Sequence, residues 1–245
     1  MIQKLKRVAF ASNPLKAHAR RLRERMGAYL RGMGVRVVSP RRAQVLVTIG
    51  GDGTILYNKN RYRRAVWAIG SDTSFICQSN HKRWKKDIEP LVSGGFRTEK
   101  RLMLAAKLNG KSLPDALNEV VVRSQYHRVL ELQLTVGRRR IFFMADGLIF
   151  STPTGSSAYA YSAGGREMER AARGYQVVPI APYRRLFKPM VLNEHDVCRV
   201  KVVGKAKADA VVDGQMHRPI RGGSELVVRA ARRDFEFVRP ARRKR

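Results

Sequence analysis

The amino-terminal part of the chain alternates between short apolar runs and apolar residues at helical spacing. Val8–Phe10 and Val45–Ile49 are apolar runs, and each predicts a buried strand. Between them, a spacing of three or four residues predicts an amphipathic helix containing Leu22, Met26, Tyr29, Leu30 and Met33. The same reasoning predicts further strands at Val35–Val38 and Val66–Ile69 and a further helix at Trp84–Leu91. Strands that alternate with helices predict a parallel α/β domain over residues 1–95.

After residue 95 the apolar spacing changes to two. The alternation starts at Leu102 and leads to the dipeptide Asn109-Gly110, a strong signal for a two-residue hairpin turn. Further short strands are predicted at Leu130–Val136, Val197–Val203, Ala210–Val212, Leu226–Val228 and Phe235–Val238. The two-residue alternation therefore predicts a mainly β domain over residues 96–238. One uncharged segment, Ser151–Gly165, interrupts its strands, because its Pro, Gly and hydroxyl residues suit neither a central strand nor a long helix.

The composition is that of a globular protein with a large positive charge. Hydrophobic residues make up 44% of the chain, and 50 Lys and Arg against 19 Asp and Glu give a formal net charge of +31. Such a charge attracts anions, including nucleotides, polyphosphate, nucleic acid and acidic membranes. The basic residues are dispersed, and only residues 239–245 form a compact run, which we interpret as a solvated tail. Nucleic acid is not expected as a specific partner, because that function needs a focused basic patch with stacking aromatics.

The cysteines and the apolar stretches predict a protein that is kept in the cytoplasm. Cys77 and Cys198 lie far apart and form neither a disulfide framework nor a Cys-x-x-Cys metal motif. The first six residues lack the apolar core of a signal peptide. The longest uncharged stretch, Gly147–Gly165, is too polar to span a bilayer, so no membrane partner is expected.

A glycine-rich turn follows the predicted strand Val45–Ile49. It reads Gly50-Gly51-Asp52-Gly53-Thr54 and precedes a helix-compatible segment that starts near Ile55. Glycines let the backbone approach a phosphate closely, and the N-terminus of the next helix supplies N–H groups. Asp52 has no side chains that crowd it in this turn and is suited to accept a proton from an attacking hydroxyl. The alternative is that Asp52 only caps the helix or shapes the turn.

Two better-known phosphate-binding motifs are absent. Gly110-Lys111-Ser112 resembles the end of a P-loop, but Ala105 stands where the earlier glycine is needed. The glycine turn does not continue as Gly-x-Gly-x-x-Gly, because position 56 is Leu. A bound nucleotide is therefore held neither in a P-loop nor in a Rossmann turn.

Three further polar clusters have the composition of ligand contacts. Asn118 and Glu119 begin an apolar strand, where the amide can read an adenine edge and the carboxylate can accept ribose hydroxyl groups. The segment Asp146–Gly165 places many small hydroxyl residues in an apolar context, which favours neutral hydrogen bonds to a polar ligand. It contains no Gly-x-Ser-x-Gly elbow, so a serine hydrolase is excluded. Asp213-Gly214-Gln215 ends a later strand and has an ordinary turn as its alternative.

These four clusters, in this order and spacing, resemble the NAD kinase family, whose signatures look like a GGDGT loop, an NE pair, a DGLxxSTPTGSTAYxxSAGG segment and a late DGQ. The resemblance extends from Val45 to Gln215 and is most specific in Asp146–Gly165. It implies an NAD kinase/diacylglycerol kinase-like fold, with an α/β N-terminal domain, a mainly-β (β-sandwich-like) C-terminal domain and NAD between them. It also implies phosphorylation of the adenosine ribose of NAD, with ATP or polyphosphate bound to a divalent metal, Mg²⁺, as donor. Similar enzymes are homodimers or homotetramers with pockets shared between subunits.

The motifs and the resemblance together predict the roles of individual residues. Asp52 is the general base that activates the ribose 2′-hydroxyl, and Asn118 and Glu119 hold adenosine and ribose groups. The other predicted ligand-binding residues are Gly50, Gly51, Gly53, Thr54, Arg128, Asp146, Ser157, Ala158, Tyr159, Ala160, Tyr161, Ser162, Ala181 and Gln215. No residue is predicted to ligate a metal.

The sequence departs from the family pattern near the glycine turn. Ser74 and Cys77 stand where glycines are usual, which makes a close approach of the backbone to a ligand harder there. The position five residues after Asp52, often basic in relatives, is Tyr57. Candidates for the missing donor contact are Lys59, Arg61 and Arg128.

Two other functions stay open at this point. Gly-Gly-Asp-Gly loops also occur in lipid kinases and phosphofructokinases, which resemble this family in their first domain. Those enzymes are not expected to carry a segment like Asp146–Gly165. The second alternative is a non-enzymatic, basic nucleic-acid-binding protein.

Overall fold

The computed structural model describes residues 3–12, 17–126 and 128–241, and it divides into two compact units. The first unit contains the described residues up to Lys100 together with those from Phe235 onward, and the second unit is Arg101–Asp234. The elements are numbered in chain order. Those of the first unit are β1 (Arg7–Ser12), α1 (Ala17–Gly32), β2 (Arg36–Val37), β3 (Val45–Ile49), α2 (Asp52–Asn58), β4 (Ala65–Gly70), β5 (Ser79–Asn80), α3 (Trp84–Ser93), β6 (Phe96–Arg101) and β19 (Phe235–Pro240).

The first unit is built on one sheet with the strand order β2-β1-β3-β4-β19-β6, and β5 pairs with β4. The pairs formed by β1, β2, β3, β4 and β5 are parallel. Every residue of β3 and β4 is buried, and α1 packs Leu22, Met26 and Leu30 into the same apolar cluster as β3. The parallel α/β prediction is therefore confirmed. None of the described helices is both long enough and apolar enough to cross a membrane.

The division between the units differs from the predicted boundaries at residues 95 and 238. β6 and β19 belong to the sheet of the first unit, where Phe237 of β19 pairs with Val66 of β4. β19 was predicted as a strand of the second domain because its alternation resembles that of the strands before it. Its partner is decided by a contact with β4, far away in sequence, and no local pattern reports that contact.

The prediction of a solvated tail from residue 239 onward is wrong for Arg239, Pro240 and Ala241. Arg239 and Pro240 belong to β19, and Nε of Arg239 donates to the carboxylate of Glu99 at 2.5 Å. The N–H of Ala241 donates to the carbonyl of Gly95 at 3.0 Å. The rest of the predicted tail, residues 242–245, lies outside the described residues.

The second unit contains most of the strands. They are β7 (Leu104–Leu108), β8 (Lys111–Ser112), β9 (Glu119–Ser124), β10 (Leu130–Val136), β11 (Arg139–Ala145), β12 (Gly147–Ser151), β13 (Gly174–Ile180), β14 (Met190–Asn193), β15 (Val197–Val203), β16 (Ala208–Val212), β17 (Met216–Ile220) and β18 (Glu225–Ala230). Short 3₁₀ turns lie at Gly155–Ser157 and Tyr183–Arg185, and α4 is Tyr159–Ser162.

The strands of the second unit form two sheets around one core. One sheet has the order β11-β10-β15-β18-β7-β8 and the other β14-β13-β12-β9-β16-β17, and the pairs within both are antiparallel. Alternate residues of β15 are buried, and Val200 joins a core cluster that also contains Val120 and Phe150 of the other sheet. Two sheets that bury facing side chains in one core form a β-sandwich, so the predicted fold class is confirmed.

The sequence did not predict β11, β12, β13, β14 or β17. Every residue of β12 is buried, because the sheet of β12 is covered on both faces. On the outer face, Ile149 and Val178 pack with Ala160 of α4 in a second apolar cluster. A strand buried on both faces has no two-residue alternation, and its local signal is therefore weak.

Candidate active site

The glycine turn connects β3 to α2 by an abrupt change of direction. Gly50 and Gly51 have φ values of 143° and 93°, which L side chains rarely adopt. Their N–H groups both donate to the carbonyl of Ile69 at the end of β4, at 3.0 and 3.3 Å. These two N–H groups therefore hold the turn against β4 and are not available to a phosphate. The helix begins at Asp52, three residues before the predicted start near Ile55.

The carboxylate of Asp52 is held by the loop that follows β4. It accepts the N–H of Phe75 at 2.8 Å and the N–H of Ile76 at 3.1 Å. The thiol of Cys77 lies 3.4 Å from the same carboxylate. The expectation that nothing crowds Asp52 is therefore wrong. Three donors fix its orientation before any substrate binds.

Ser74 and Cys77, which replace the usual glycines, fill the space between β4 and Asp52. A Cβ atom on Gly70 would lie 2.2 Å from Oγ of Ser74 and 2.8 Å from Sγ of Cys77. Burial raises the pKa of the Cys77 thiol, and the charge of Asp52 raises it further. The thiol therefore stays protonated and can donate to the carboxylate.

The residues proposed to replace the missing basic position lie in different environments. Tyr57 itself is 63% exposed. Lys59 is buried, and its ammonium group donates to the carbonyl of Leu56 at 3.1 Å, so Lys59 is not available to a donor. Arg61 is exposed and lies over the ring of Tyr62.

In the second unit, Asp213 fastens the backbone that carries Asn118 and Glu119. Its buried carboxylate accepts the N–H groups of Leu117 at 2.9 Å, Asn118 at 2.8 Å and Glu119 at 3.0 Å. Its φ of 50° lies in the left-handed region, which aspartate tolerates better than most residues. The sequence predicted either a ligand contact or an ordinary turn at Asp213-Gly214-Gln215, and neither interpretation identified the three donors.

Asn118 and Glu119 each present an unsatisfied oxygen. Both residues are only 9% exposed. Among the described residues, no group donates to Oδ1 of Asn118 or to Oε2 of Glu119, although both atoms are buried. Buried polar atoms in native proteins nearly always have a partner, so these two oxygens are candidates for hydrogen bonds from a ligand.

Glu119 keeps its proton at neutral pH in the ligand-free protein. Burial raises its pKa to about 8, and the nearby charge of Asp213 contributes to the increase. A protonated carboxyl group donates one hydrogen bond and still accepts others. This changes the sequence-based expectation, in which a charged Glu119 only accepted hydrogen bonds from ribose hydroxyl groups.

Most hydroxyl groups at the start of the predicted ligand segment build the loop itself. Ser151 and Ser156 donate to nearby carbonyl groups at 3.1 and 2.8 Å. The hydroxyl of Thr152 donates to the carbonyl of Leu117 at 2.5 Å. A Cβ on Gly155 would lie 2.3 Å from the carbonyl oxygen of Asn118. Thr152 and Gly155 therefore hold the loop against residues 117 and 118, and the hydroxyl groups of Ser151 and Ser156 stabilise the loop itself, a role that the sequence did not predict for this segment.

The six predicted pocket residues that follow differ in exposure. Ala158, Tyr161 and Ser162 are exposed, and Ser157 and Tyr159 are half-buried. The side chain of Ala160 is fully buried in the outer apolar cluster, so it does not face a ligand.

The predicted residues of the second unit lie at two opposite ends of the β9–β12 pair. At one end, Glu119 pairs with Ser151. At the other, Asp146 precedes Gly147 and donates its N–H to Ile180 at 2.9 Å. Asp146 and Ser151 are five positions apart, which corresponds to roughly 17 Å at about 3.3 Å per residue.

The remaining predicted residues divide between these ends. Gln215 follows Asp213 and is exposed at the Glu119 end. Ala181, whose φ of 44° is unusual for alanine, follows Ile180 at the Asp146 end. Arg128 belongs to the Asp146 end as well, because its N–H donates to Oγ of Ser124, whose own N–H donates to the carbonyl of Asp146.

In the described parts of the chain, no three His, Cys, Asp or Glu side chains are grouped so that they could hold a metal ion. Mg²⁺ commonly keeps several waters and binds through substrate phosphates with only one or two carboxylates. The described side chains therefore offer no set of three ligands for a resident metal.

Comparisons with known proteins identify relatives of this chain. Residues 117–240 match the model of the ATP-NAD kinase C-terminal domain. The NAD kinase of Methanothermobacter thermautotrophicus is 33% identical over 204 residues, which cover 80% of this chain and 72% of that protein. The NAD kinase of Heliobacterium modesticaldum is 33% identical over 205 residues, covering 78% of this chain and 71% of that protein.

Two solved structures share the fold. A yeast NADH kinase complexed with NADH has a TM-score of 0.87 at 22% identity and covers 98% of this chain and 84% of its own. An NAD kinase from Archaeoglobus fulgidus in complex with ATP has a TM-score of 0.82 at 24% identity and covers 96% of this chain and 94% of its own. With the family model and the sequence identities, these similarities show that the chain belongs to the NAD kinase family of enzymes.

Proposed function

We propose that the protein phosphorylates the 2′-hydroxyl of the adenosine ribose of NAD to give NADP, with Asp52 as general base and ATP, polyphosphate or both as donor. The observation that carries the proposal is the pair of buried, unsatisfied oxygens on Asn118 and Glu119. An adenosine supplies the donors that these oxygens lack, namely an exocyclic amino group and ribose hydroxyl groups.

The fixed orientation of the Asp52 carboxylate supports its proposed role as general base. Its carboxylate is fixed by the N–H groups of Phe75 and Ile76, and a carboxylate has further lone pairs to accept a proton. In the proposed step, the ribose oxygen attacks the terminal phosphorus of the donor and its proton passes to Asp52. The bond from that phosphorus to the bridging oxygen breaks, and the shortened donor leaves with the electron pair.

The donor is proposed to bring its own Mg²⁺. The described residues offer no cluster for a resident metal, and Mg²⁺ commonly binds through substrate phosphates. An ATP donor is supported by the ATP complex of the Archaeoglobus fulgidus relative. The net charge of +31 is compatible with polyphosphate as well.

A homodimer or homotetramer with shared pockets is proposed from the two groups of predicted residues. Glu119 and Asp146 lie at opposite ends of one strand pair, roughly 17 Å apart by strand length. Residues of one group are therefore suited to complete a pocket of a neighbouring subunit. The cytoplasmic location stays a prediction, which the two free cysteines suit.

The direct test is NADP formation by the purified protein with Mg²⁺. We expect product from NAD with ATP, polyphosphate or both, and the same assay with NADH defines the acceptor. Chromatographic detection of NADP separates it from any NAD breakdown product. A protein that forms neither NADP from NAD nor NADPH from NADH, with either donor, would contradict the proposal.

A pH dependence of stability is expected from Glu119. Its pKa is about 8 in the folded protein and about 4.5 in the unfolded chain, so between these values the folded state binds more protons than the unfolded state. Raising the pH through this window therefore lowers the free energy of unfolding, by at most about 1.4 kcal/mol per pH unit from this group. Urea unfolding across the window measures this slope.

Glu119→Gln removes the titrating group and should make the slope less steep by that amount. Glu131→Gln, at an exposed carboxylate of β10, is the matched control and should leave the slope as it is. Identical slopes for the wild type and Glu119→Gln would show that Glu119 is ionised throughout.

A further inference from the structure

A cleft of about 700 Å³ opens in the first unit beside the first half of α1. Two guanidinium groups and two imidazole rings line it, together with one hydroxyl. His18, Arg21 and Arg25 come from α1, and Ser71 and His81 come from the loops that follow β4 and β5. Ala17 and Leu22 complete the lining, so the cleft combines apolar surface with basic groups that attract an anion.

The basic side chains of the cleft share one face of α1. Positions 18, 21 and 25 are three and four residues apart, which places them above one another on a helix. All three are exposed, and none forms an ion pair with a carboxylate of the described residues. Asp72, next to Ser71 in sequence, forms an ion pair with Lys82 at 2.7 Å instead. The charge of the two arginines is therefore available to a ligand.

The cleft adjoins the turn that contains Asp52. In the sheet, Ser12 pairs with Ile49 and Ile49 pairs with Ile69, so β1, β3 and β4 end side by side. α1 follows β1, Asp52 follows β3 and Ser71 follows β4. Ligands of open parallel sheets bind at this carboxyl edge.

The loop after β4 connects the cleft to Asp52 through two hydrogen bonds and the backbone between them. The N–H of Ser71 donates to Oγ of Ser74 at 3.0 Å. One residue later, the N–H of Phe75 donates to the carboxylate of Asp52 at 2.8 Å. The same short loop therefore lines the cleft and orients the proposed base.

We propose that this cleft binds the linear phosphate chain of the phosphoryl donor, either the triphosphate of a nucleotide or inorganic polyphosphate. The inference rests on the proposed function. Guanidinium groups bind phosphate oxygens in pairs, and Arg21 and Arg25 lie one helical turn apart on α1, where each can hold a different phosphate group of the chain. The phosphate chain leads towards Asp52, where its terminal phosphoryl group is transferred to the ribose. The shortened, still negatively charged chain stays bound to Arg21 and Arg25.

The test compares two double variants of one helix. Arg21→Ala with Arg25→Ala removes the arginines of the cleft. Arg20→Ala with Arg23→Ala removes two exposed arginines of α1 that do not line it. Both variants lose two positive charges and gain two alanines, so long-range charge and helix propensity change equally. Calorimetry measures the binding of inorganic tripolyphosphate, and steady-state assays measure the KM of ATP and of polyphosphate.

The cleft variant is expected to weaken tripolyphosphate binding by about tenfold and to raise the donor KM by a similar factor, with the KM of NAD unchanged. The control variant should stay within about twofold of the wild type, as expected for screened surface charges. An increase in KM for both donors assigns the cleft to the shared phosphate chain, and an increase for one donor assigns it to that donor. Equal effects of the two variants would overturn the proposal.

Failure of the proposed function is distinguishable from failure of this inference. If the wild type forms NADP but the two variants behave alike, the cleft proposal is wrong and the proposed function stands. If no NADP forms but tripolyphosphate binding still depends on Arg21 and Arg25, the phosphate cleft stands and the proposed function is wrong.

Discussion

Asp52→Asn is expected to lower the kcat of NADP formation by about 10³-fold, because an amide cannot accept the proton of the ribose hydroxyl. The KM of NAD should change little, since Asp52 is proposed to act on the proton in the transition state and not to hold the adenosine. Steady-state kinetics at saturating donor measures both quantities.

The structural role of Asp52 requires a control for the loop. Its carboxylate accepts the N–H groups of Phe75 and Ile76, and an asparagine amide can accept only one of them well. A loss of thermal stability is therefore expected beside the loss of turnover. Calorimetric NAD binding by the folded variant separates the two effects, and Glu131→Gln controls for the loss of one negative charge. A variant with more than about a tenth of the wild-type kcat would exclude Asp52 as the base.

Asp213→Ala is expected to lower the free energy of unfolding by about 3 kcal/mol or more. The substitution leaves the N–H groups of Leu117, Asn118 and Glu119 buried without their acceptor, and each unsatisfied donor costs about 1–3 kcal/mol. The KM of NAD should rise as well, because the backbone that positions Asn118 and Glu119 is released. Urea unfolding and steady-state kinetics measure the two effects.

Asp209→Ala is the matched control for Asp213→Ala. Asp209 lies in the same sheet, is partly buried and accepts one hydrogen bond, from Nε2 of Gln125 at 2.8 Å. Its loss should cost about 1 kcal/mol and leave the KM of NAD unchanged. Asp213→Asn, which keeps one acceptor and tolerates positive φ, should lie between the two. Equal destabilisation by Asp209→Ala and Asp213→Ala would show that the three hydrogen bonds contribute little.

The backbone of Leu117–Glu119 is hydrogen-bonded to Asp213 through its N–H groups and to Thr152 through its carbonyl groups. The side chains of Asn118 and Glu119 are therefore not needed to hold this segment in place. Asp213 accepts its N–H groups, and Thr152 donates to the carbonyl groups of Leu117 and Asn118 through its hydroxyl and its N–H. The carbonyl of Asn118 occupies the space that a side chain at position 155 would need, so only glycine fits there. A backbone fixed in this way keeps the side chains of Asn118 and Glu119 in place for a ligand.

The local pattern was sufficient for elements whose apolar residues repeat regularly. α1 buries Leu22, Met26 and Leu30 as its spacing predicts, although Met33 lies just beyond its end. β15 buries every second residue. β12 could not be found in this way, because both of its faces are covered and its residues do not alternate.

The candidate site could be located from residue types, but the role of each residue could not be assigned. The order of the glycine turn, the Asn118-Glu119 pair and Asp146–Gly165 indicated the family, which the comparisons confirm. The pattern did not distinguish hydroxyl groups that fold the loop, such as that of Ser156, from groups that remain at the surface. That distinction depends on which acceptors lie within reach after folding.

The sequence by itself determined the family, the α/β and β-sandwich parts and the positions of Asp52 and Asn118-Glu119, because short motifs and local spacing carry this information. Only the tertiary structure decided that β19 joins the first sheet, that Asp52 is held by the loop after β4 and that Asp213 fastens Leu117 from 96 positions away. The burial that keeps Glu119 protonated was decided in the same way. These features depend on contacts between residues distant in the chain, and such contacts leave no periodicity in the sequence.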